Sequence, residues 1–260
     1  MSEMSVYMIS ILTALILDFG DVSGQVRPLH DYRVRVLVAI KSGNASRRAL
    51  WRASDCGSSY AAAGLKYKFF VGVPTRAGHD LSRHNQGGYD YPEERAAERL
   101  LLSECDKHGD VHMLPLRDQY MNLPNKLIQM LSYAYRDYAA SYVVVHDDDY
   151  CLSGSSVRSV IESHTGVCGL YAGTGHWHGT EHALMRGPTG MTAPYFSGGF
   201  GTILSRDVLC GIVGPSAWAH TVLVGMYGTS ADDCDLGKWV RYARERLGVC
   251  VETKKVNLLT

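Results

Sequence analysis

The stretch Ser141–Leu152, SYVVVHDDDYCL, sets a run of β-branched apolar residues directly against three consecutive carboxylates, Asp147, Asp148 and Asp149. Tyr142 to Val145 reads as a strand covered on both faces, because such strands are continuous apolar runs rather than alternations. Three adjacent negative charges repel one another, so the triplet costs stability unless solvent, hydrogen bonds or a cation offset it. Two readings follow: a solvated turn at a strand end, or a site for a divalent metal.

The residues upstream place this strand in a series. RVRVLVAIKS, Arg33 to Ser42, alternates and then turns apolar, as a first strand entering a buried sheet does. A helical, arginine-containing stretch follows, NASRRALWRAS, and KYKFFVGVPT, Lys66 to Thr75, reads as a second strand stopped by Pro74. Residues 76–91 form a polar, glycine-containing loop. PEERAAERLLLSECDKHG has Pro92 and two acids in its first turn and Gly109 past its end, which are helix start and stop signals. DVHMLPL is a third short strand, and LPNKLIQMLSYAYRDY carries Leu127, Leu131, Ala134 and Tyr138 at helical spacing. Strands and helices in this alternation predict an α/β fold, Rossmann-like, with a mostly parallel sheet flanked by helices. Ligands bind beyond the carboxyl ends of such strands, where Asp147 to Asp149 stand.

Downstream the pattern is less regular. Residues 166–202 hold many glycines, the cluster His176, His178, Glu181 and His182, and the run APYFSGGFGTILS. TSADDCDLGKWVRYARERLGV then reads as a helix, with Leu236, Trp239, Val240, Ala243 and Leu247 at helical spacing and Gly248 as its stop. Asp232 and Asp233 stand at its entrance.

With 260 residues, one α/β domain is the expected size class. Apolar residues make up 46% and charged residues 20%, which excludes disorder as the organising state. Twenty-six basic residues balance 26 acidic ones, so the chain as a whole carries no electrostatic footprint for nucleic acid, and none is expected as a partner. Seven cysteines with no CxxC pair argue against a zinc ribbon or thioredoxin-type motif. One or two disulfides formed in an oxidising compartment fit, with a thiol left over. Val6–Leu17 is an apolar run of signal-peptide length, too short to span a bilayer and lacking a basic residue before it. It reads as the remnant of a signal anchor or as a buried N-terminal element. Asn44-Ala45-Ser46 is a glycosylation sequon.

Two acidic clusters, one at a strand end and one at a helix start, suggest divided labour. A strand-end Asp-x-Asp offers hard oxygen ligands to Mg or Mn while leaving positions open for a diphosphate. A second carboxylate at a distance can deprotonate an attacking hydroxyl, and Asp232 beside Asp233 would raise its pKa towards that task. Each has an alternative: helix capping for Asp232 and Asp233, a tight turn for Gly198, Gly199 and Gly201. The histidine cluster could bind zinc in a metal-dependent hydrolase, although its spacing follows no standard zinc pattern.

In this order the pieces resemble the family 31 inverting β-1,3-glycosyltransferases, the group of galactosyl- and N-acetylglucosaminyltransferases and the Fringe proteins. RRALWRAS is similar to the family's arginine-rich segment after the first strand, and FFVG to its second-strand Phe-x-x-Gly. GDVHMLPLRDQYMNLPNKLIQML follows its Gly-Asp…Asp-x-Tyr-x-Asn-Leu-x-x-Lys stretch, and VVHDDDYCL its metal motif. YFSGGFGTILS resembles the Fringe-type Gly-Gly-x-Gly, and DDCDLG the terminal acidic motif. FFVGVPT, MYGTSADD and LGKWV look closest to the UDP-Gal- or UDP-GlcNAc-dependent transferases of trypanosomatids.

The resemblance implies a GT-A domain over residues 25–260, preceded by an anchor remnant and stem over 1–24. It implies type II placement in the Golgi membrane with a lumenal catalytic domain, and Mn2+ as cofactor. The expected activity is inverting, β-1,3 transfer of galactose or N-acetylglucosamine from a UDP-sugar to a glycan or glycoprotein hydroxyl. Carried over by position, the metal ligands are Asp149 and Asp147. Asp147, Asp148, Arg47, Arg48, Arg52, Asp118 and Lys126 lie towards the donor, and Gly198 and Gly199 line the sugar site. Asp233 is the base, with Asp232 as the competing assignment. The family's metal-holding His beyond the terminal acidic motif has no counterpart in residues 238–260. That departure leaves a truncated chain, a metal held by fewer protein ligands, or a non-catalytic carbohydrate-binding relative as alternatives.

Overall fold

In the computed structural model, which describes residues 35–74, 92–177, 193, 195–218, 221 and 231–259, strand β1 (Val36–Lys41) is buried along its whole length. Its side chains divide by parity, as a pleated strand requires. Leu37 and Ala39 enter one apolar layer, and Val36, Val38 and Ile40 enter the other. A strand whose two faces both meet a core must be apolar throughout, which is why the run reads as it does.

Chain order builds a layer on each face. β1 is followed by α1 (Ala45–Ala53), α2 (Cys56–Ala62), β2 (Lys66–Val73), α3 (Pro92–His108) and β3 (Val111–Arg117). Then come α4 (Leu123–Ser132), continued by a π-helical turn to Asp137, and β4 (Tyr142–Asp147). The expected strand at Tyr142 to Val145 therefore runs on into the first aspartate. The rest comprises α5 (Gly154–Glu162), β5 (Gly169–Gly173), the short pair β6 (His176–Trp177) and β7 (Tyr195–Phe196), β8 (Thr202–Ser205), α6 (Arg206–Val213), α7 (Asp232–Arg246) and β9 (Val251–Lys255). Leu127, Leu131 and Ala134 of α4 and the turn after it are buried, with α6 and α7, against one face of the sheet. Side chains of α1, α2, α3 and α5 cover the other.

The main sheet has seven strands in the order β3-β2-β1-β4-β8-β5-β9. β3, β2, β1 and β4 are parallel, β8 runs antiparallel to both β4 and β5, and β5 pairs in parallel with β9. The expectation of a mostly parallel sheet flanked by helices is met. From β1 the chain moves out to β2 on one side, while β4 lies on the other, so a crevice opens above the carboxyl ends of β1 and β4. In the β1–β4 register Lys41 is the partner of Asp147.

Two disulfides close the fold, Cys56–Cys151 and Cys168–Cys250, and Cys105, Cys210 and Cys234 remain thiols. The first fastens α2 to the loop just past the acidic triplet. Among the described residues no helix is long and apolar enough to cross a membrane. Val6–Leu17 lies outside them.

Candidate functional site

The acidic triplet is not three equivalent carboxylates. Asp148 is buried: its Oδ2 accepts from Ser42 Oγ at 2.5 Å, its Oδ1 from Arg47 at 3.3 Å, and its backbone N–H donates to the Lys41 carbonyl at 3.1 Å. The side chains of Asp147 and Asp149 are 40% and 47% exposed, and both face the crevice. Arg47 reaches towards Asp149 only at 3.9 Å. The middle residue thus anchors the turn, and its neighbours present oxygen to whatever enters.

Behind the triplet a buried chain of hydrogen bonds fixes the end of β4. Leu152 N–H donates to the Tyr60 hydroxyl at 3.3 Å, the hydroxyl meets His146 Nε2 at 3.0 Å, and His146 Nδ1 meets the Asp147 carbonyl at 2.7 Å. Burial pushes the His146 pKa down to about 4, so the ring stays neutral with its proton on Nδ1. Nothing in the sequence pattern set His146 apart from an ordinary strand residue.

The second acidic cluster meets the first across the crevice. The cap position of α7 is Ala231, with no side chain capping the helix, so Asp232 and Asp233 are not its N-caps. Their charge still complements the positive helix start. Asp232 is buried, and its Oδ2 lies 2.6 Å from Lys41 Nζ, which also lies 2.9 Å from Asp147 Oδ1. Burial alone would lower the Lys41 pKa, but the carboxylates of Asp232 and Asp147 outweigh it and hold the ammonium above its usual range. Asp233 is half-buried and is held by backbone N–H groups, from Cys234 to Oδ1 at 2.8 Å and from Gly198 to Oδ2 at 3.4 Å. Burial, then the negative charge of Asp232, raises its pKa above the ordinary 3.8.

Gly198 and Gly199 are where they are because the backbone comes close to these groups. A Cβ on Gly198 would lie 3.1 Å from Lys41 Nζ and 3.3 Å from Asp233 Cβ; one on Gly199 would lie 3.2 Å from Asp147 Oδ2.

Three arginines were expected to lie towards a donor, and the structure separates them. Arg47 lines the crevice. Arg48 and Arg52 are not among its lining residues and are bonded elsewhere. Arg48 is buried with its fork on Glu104, from Nε at 2.9 Å and NH2 at 2.5 Å, and its NH1 on Ser42 Oγ at 3.1 Å. Arg52 holds Asp110 through two bonds of 2.8 and 2.6 Å and reaches Glu104 at 2.8 Å. Their i, i+4 spacing puts them together on the inward face of α1 beside Trp51, a signal the sequence does carry. Asp118 and Lys126 stand together in one wall of the crevice: Lys126 Nζ donates to Asp118 Oδ1 at 2.7 Å and to the Ser42 carbonyl at 2.8 Å.

Two connected hollows share Lys41, Asp147, Asp149, Tyr120 and Leu123. One, of about 520 Å³, is completed by Tyr150, Tyr195, Gly198, Gly199, Phe200, Asp232 and Asp233. The other, of about 360 Å³, is completed by Ser42, Gly43, Arg47, Asp118, Gln119, Lys126 and Asp148. Volumes of this size suit small-molecule ligands. Once the Asp118–Lys126 pair is set aside, five carboxylates (Asp147, Asp148, Asp149, Asp232 and Asp233) face two cations, Lys41 and Arg47. Among the described residues the site thus carries an excess of negative charge, which a bound cation would relieve.

The donor set fits a hard divalent ion of the kind that takes one or two carboxylates and fills its other positions with phosphate oxygens and water. Among the described residues no three His, Cys, Asp or Glu side chains are grouped to hold a metal; Asp147 and Asp149 are the two carboxylates of the triplet that open to the crevice. Of the histidine cluster, His176 lies in β6, whereas His178, Glu181 and His182 lie outside the described residues.

Comparison with known proteins adds the following. The Galactosyltransferase family model matches residues 88–174, about a third of the chain. No curated protein sequence matches significantly. Among solved structures, the mannosyltransferase PcManGT from Pyrobaculum calidifontis, in complex with GDP-Man and Mn2+, is similar with a TM-score of 0.39 at 13% identity, over 85% of this chain and 55% of that one. This chain thus spans little more than half of that protein's length. Galactosyltransferase LgtC, in complex with donor and acceptor sugar analogues, is similar with a TM-score of 0.33 at 13% identity, over 83% of this chain and 72% of that one.

Proposed function

We propose that the chain is a GT-A glycosyltransferase that moves a hexose from a nucleotide diphosphate donor to a glycan hydroxyl. The observation that carries this reading is the facing of two acidic clusters across one crevice. Open strand-end carboxylates stand on one side, and a half-buried carboxylate of raised pKa stands on the other. The match of residues 88–174 to the Galactosyltransferase family supports sugar transfer as the reaction class.

The donor's diphosphate belongs in the hollow walled by Arg47, Asp118 and Lys126, and its sugar beside Gly198 and Gly199. Asp149 and Asp147 would hold the divalent ion, Mn2+ by family resemblance; when bound, it neutralises the diphosphate and the charge on the leaving UDP. Asp233 takes the proton of the acceptor hydroxyl, whose oxygen forms the new bond to the anomeric carbon. The bond from that carbon to the phosphate oxygen breaks on the opposite face, and its electron pair leaves with UDP, so the configuration inverts. Asp233 rather than Asp232 is assigned as base, because the Asp232 carboxylate is buried in an ion pair with Lys41, whereas Asp233 lines the crevice with a raised pKa. UDP-Gal and UDP-GlcNAc are the proposed donors and β-1,3 the proposed linkage, both on the resemblance. The two disulfides support an oxidising compartment, for which the Golgi lumen is proposed.

Calorimetric titration of UDP, with Mn2+ and with EDTA, tests the donor site against an Asp149→Ala variant. Binding that needs both Mn2+ and Asp149 is the expected result. A folded chain that binds no UDP would overturn the transferase reading in favour of a non-catalytic carbohydrate-binding relative.

A further inference from the structure

Lys41 had no place among the residues singled out in the sequence, yet its ammonium is the point at which the two acidic clusters meet. It ends an otherwise apolar strand, and the whole residue is only 6% exposed. Burying a charge costs several kcal/mol unless it is paired. Here it is paired twice, to Asp147 at the end of β4 and to Asp232 at the start of α7. The two carboxylates come from elements 85 residues apart in sequence, numbers 147 and 232, and Lys41 Nζ bonds both. Gly198 passes so close that a Cβ there would lie 3.1 Å from the ammonium, and the same residue's N–H donates to Asp233.

We propose that Lys41 is a positioning residue: its ammonium clamps the donor-side carboxylate Asp147 to Asp232 and so sets where the adjacent Asp233 stands relative to the donor sugar. The proposal rests on the transferase reading above. The clamp acts mainly through carboxylates, so its loss falls on turnover far more than on donor affinity, from which only the charge Lys41 contributes to the lining is lost. A displacement of about 1 Å at a reacting group costs on the order of 100-fold in rate.

The experiment uses the 260-residue chain, with Mn2+ and UDP-Gal or UDP-GlcNAc, following UDP release and, separately, calorimetric UDP binding. Lys41→Met should lower kcat about 100-fold, and should raise the donor KM and weaken the UDP affinity by no more than about fivefold, the scale of one charge contact. Asp232→Asn should lower kcat as well, and the double variant should be no slower than the slower single one, because both break the same bridge. Three results overturn the clamp while leaving the transferase reading standing: unchanged kcat in Lys41→Met, a loss of UDP affinity equal to the loss of kcat, or losses that multiply in the double variant. If Lys41→Met does not fold, Asp232→Asn decides alone. A lowered kcat with the acid limb of its pH profile retained supports the clamp; an unchanged kcat, or a lost limb, overturns it. A wild-type chain that neither binds UDP nor releases it from a donor overturns both readings.

Discussion

Two ion networks lie on either side of α1, and they are built to opposite rules. On one side Arg48 and Arg52 meet Glu104 and Asp110 through five short bonds, two cations against two anions, with all four side chains at most 16% exposed. On the other side, with the Asp118–Lys126 pair set aside, five carboxylates among the described residues meet Lys41 and Arg47, and Asp147 and Asp149 open to solvent. A balanced, closed network has nothing left to offer a ligand. It joins α1 to α3 and to the start of β3 and holds the frame. An unbalanced, open one stores repulsion that a cation would relieve. Arginine content alone does not identify a binding site; the fraction of each guanidinium already spent does.

The sharpest way to break this distinction is to remove one member from each side. Asp233→Asn should lower transfer by on the order of 10³-fold, the scale of a general base, with circular dichroism and melting close to wild type. The measurement is kcat at saturating donor. Full transfer from a folded variant would end the assignment. Arg48→Met should do the reverse. Removing Arg48 leaves the largely buried Glu104 with its Arg52 bond alone and destabilises by up to about 3–5 kcal/mol, visible in urea unfolding. Metal-dependent UDP affinity, measured where the variant is still folded, should fall far less than its stability.

The contrast also explains what was legible in the sequence. Val36–Ile40 and Val143–Val145 declared themselves, because strands covered on both faces need unbroken apolar runs, and the acids ending β4 followed from the parallel topology. The entrance acids of α7 were legible for the same kind of reason, through helical periodicity behind them. For Arg47, Arg48 and Arg52 only part of the distinction is local: the i, i+4 spacing of Arg48 and Arg52 beside Trp51 marks an inward face, but the anions that fill it, Glu104 and Asp110, lie more than 50 residues away. Lys41 was passed over because its two partners lie in β4 and α7, and no local pattern announces a long-range pair. The antiparallel insertion of β8 and the edge strand β9 were hidden for a related reason: β8 is four residues long in a glycine-rich region, and β9, VETKK, is polar and half-exposed.

Acidity should separate the two regions by sign. Hydrogen bonding from Arg48, opposed by burial and helped by Arg52, lowers the Glu104 pKa from 4.5 to about 2. A carboxylate depressed in the folded state gives stability that is complete above its unfolded value and lost as pH falls through its folded value. Unfolding experiments should therefore show stability draining between about pH 4.5 and 2, with that component missing in Arg48→Met. Asp233 is shifted the other way, so the folded chain binds its proton more tightly and gives up stability as pH rises past 3.8. Because the base works only when ionised, the acid limb of kcat should lie above 3.8 and vanish in Asp233→Asn, whose residual rate should be flat there. A limb at or below that value would remove the reason for preferring Asp233.

The smallest effect is expected at Arg47, and it tests the comparison most directly, because Arg47 differs from Arg48 by one position on the same helix. Its side chain is 55% exposed and makes a single 3.3 Å bond to Asp148, so the fold draws little from it. Arg47→Ala should change the unfolding free energy by no more than about 0.5 kcal/mol. Asp148 keeps its bond from Ser42 Oγ, and the turn that carries Asp147 and Asp149 keeps its shape. The loss should appear instead in UDP affinity with Mn2+, weakened about fivefold, the scale of one exposed charge contact, and should shrink as salt is added. If Arg47→Ala proved as destabilising as Arg48→Met, or left UDP binding untouched, the division of α1 into a frame-holding face and a ligand-facing one would fail.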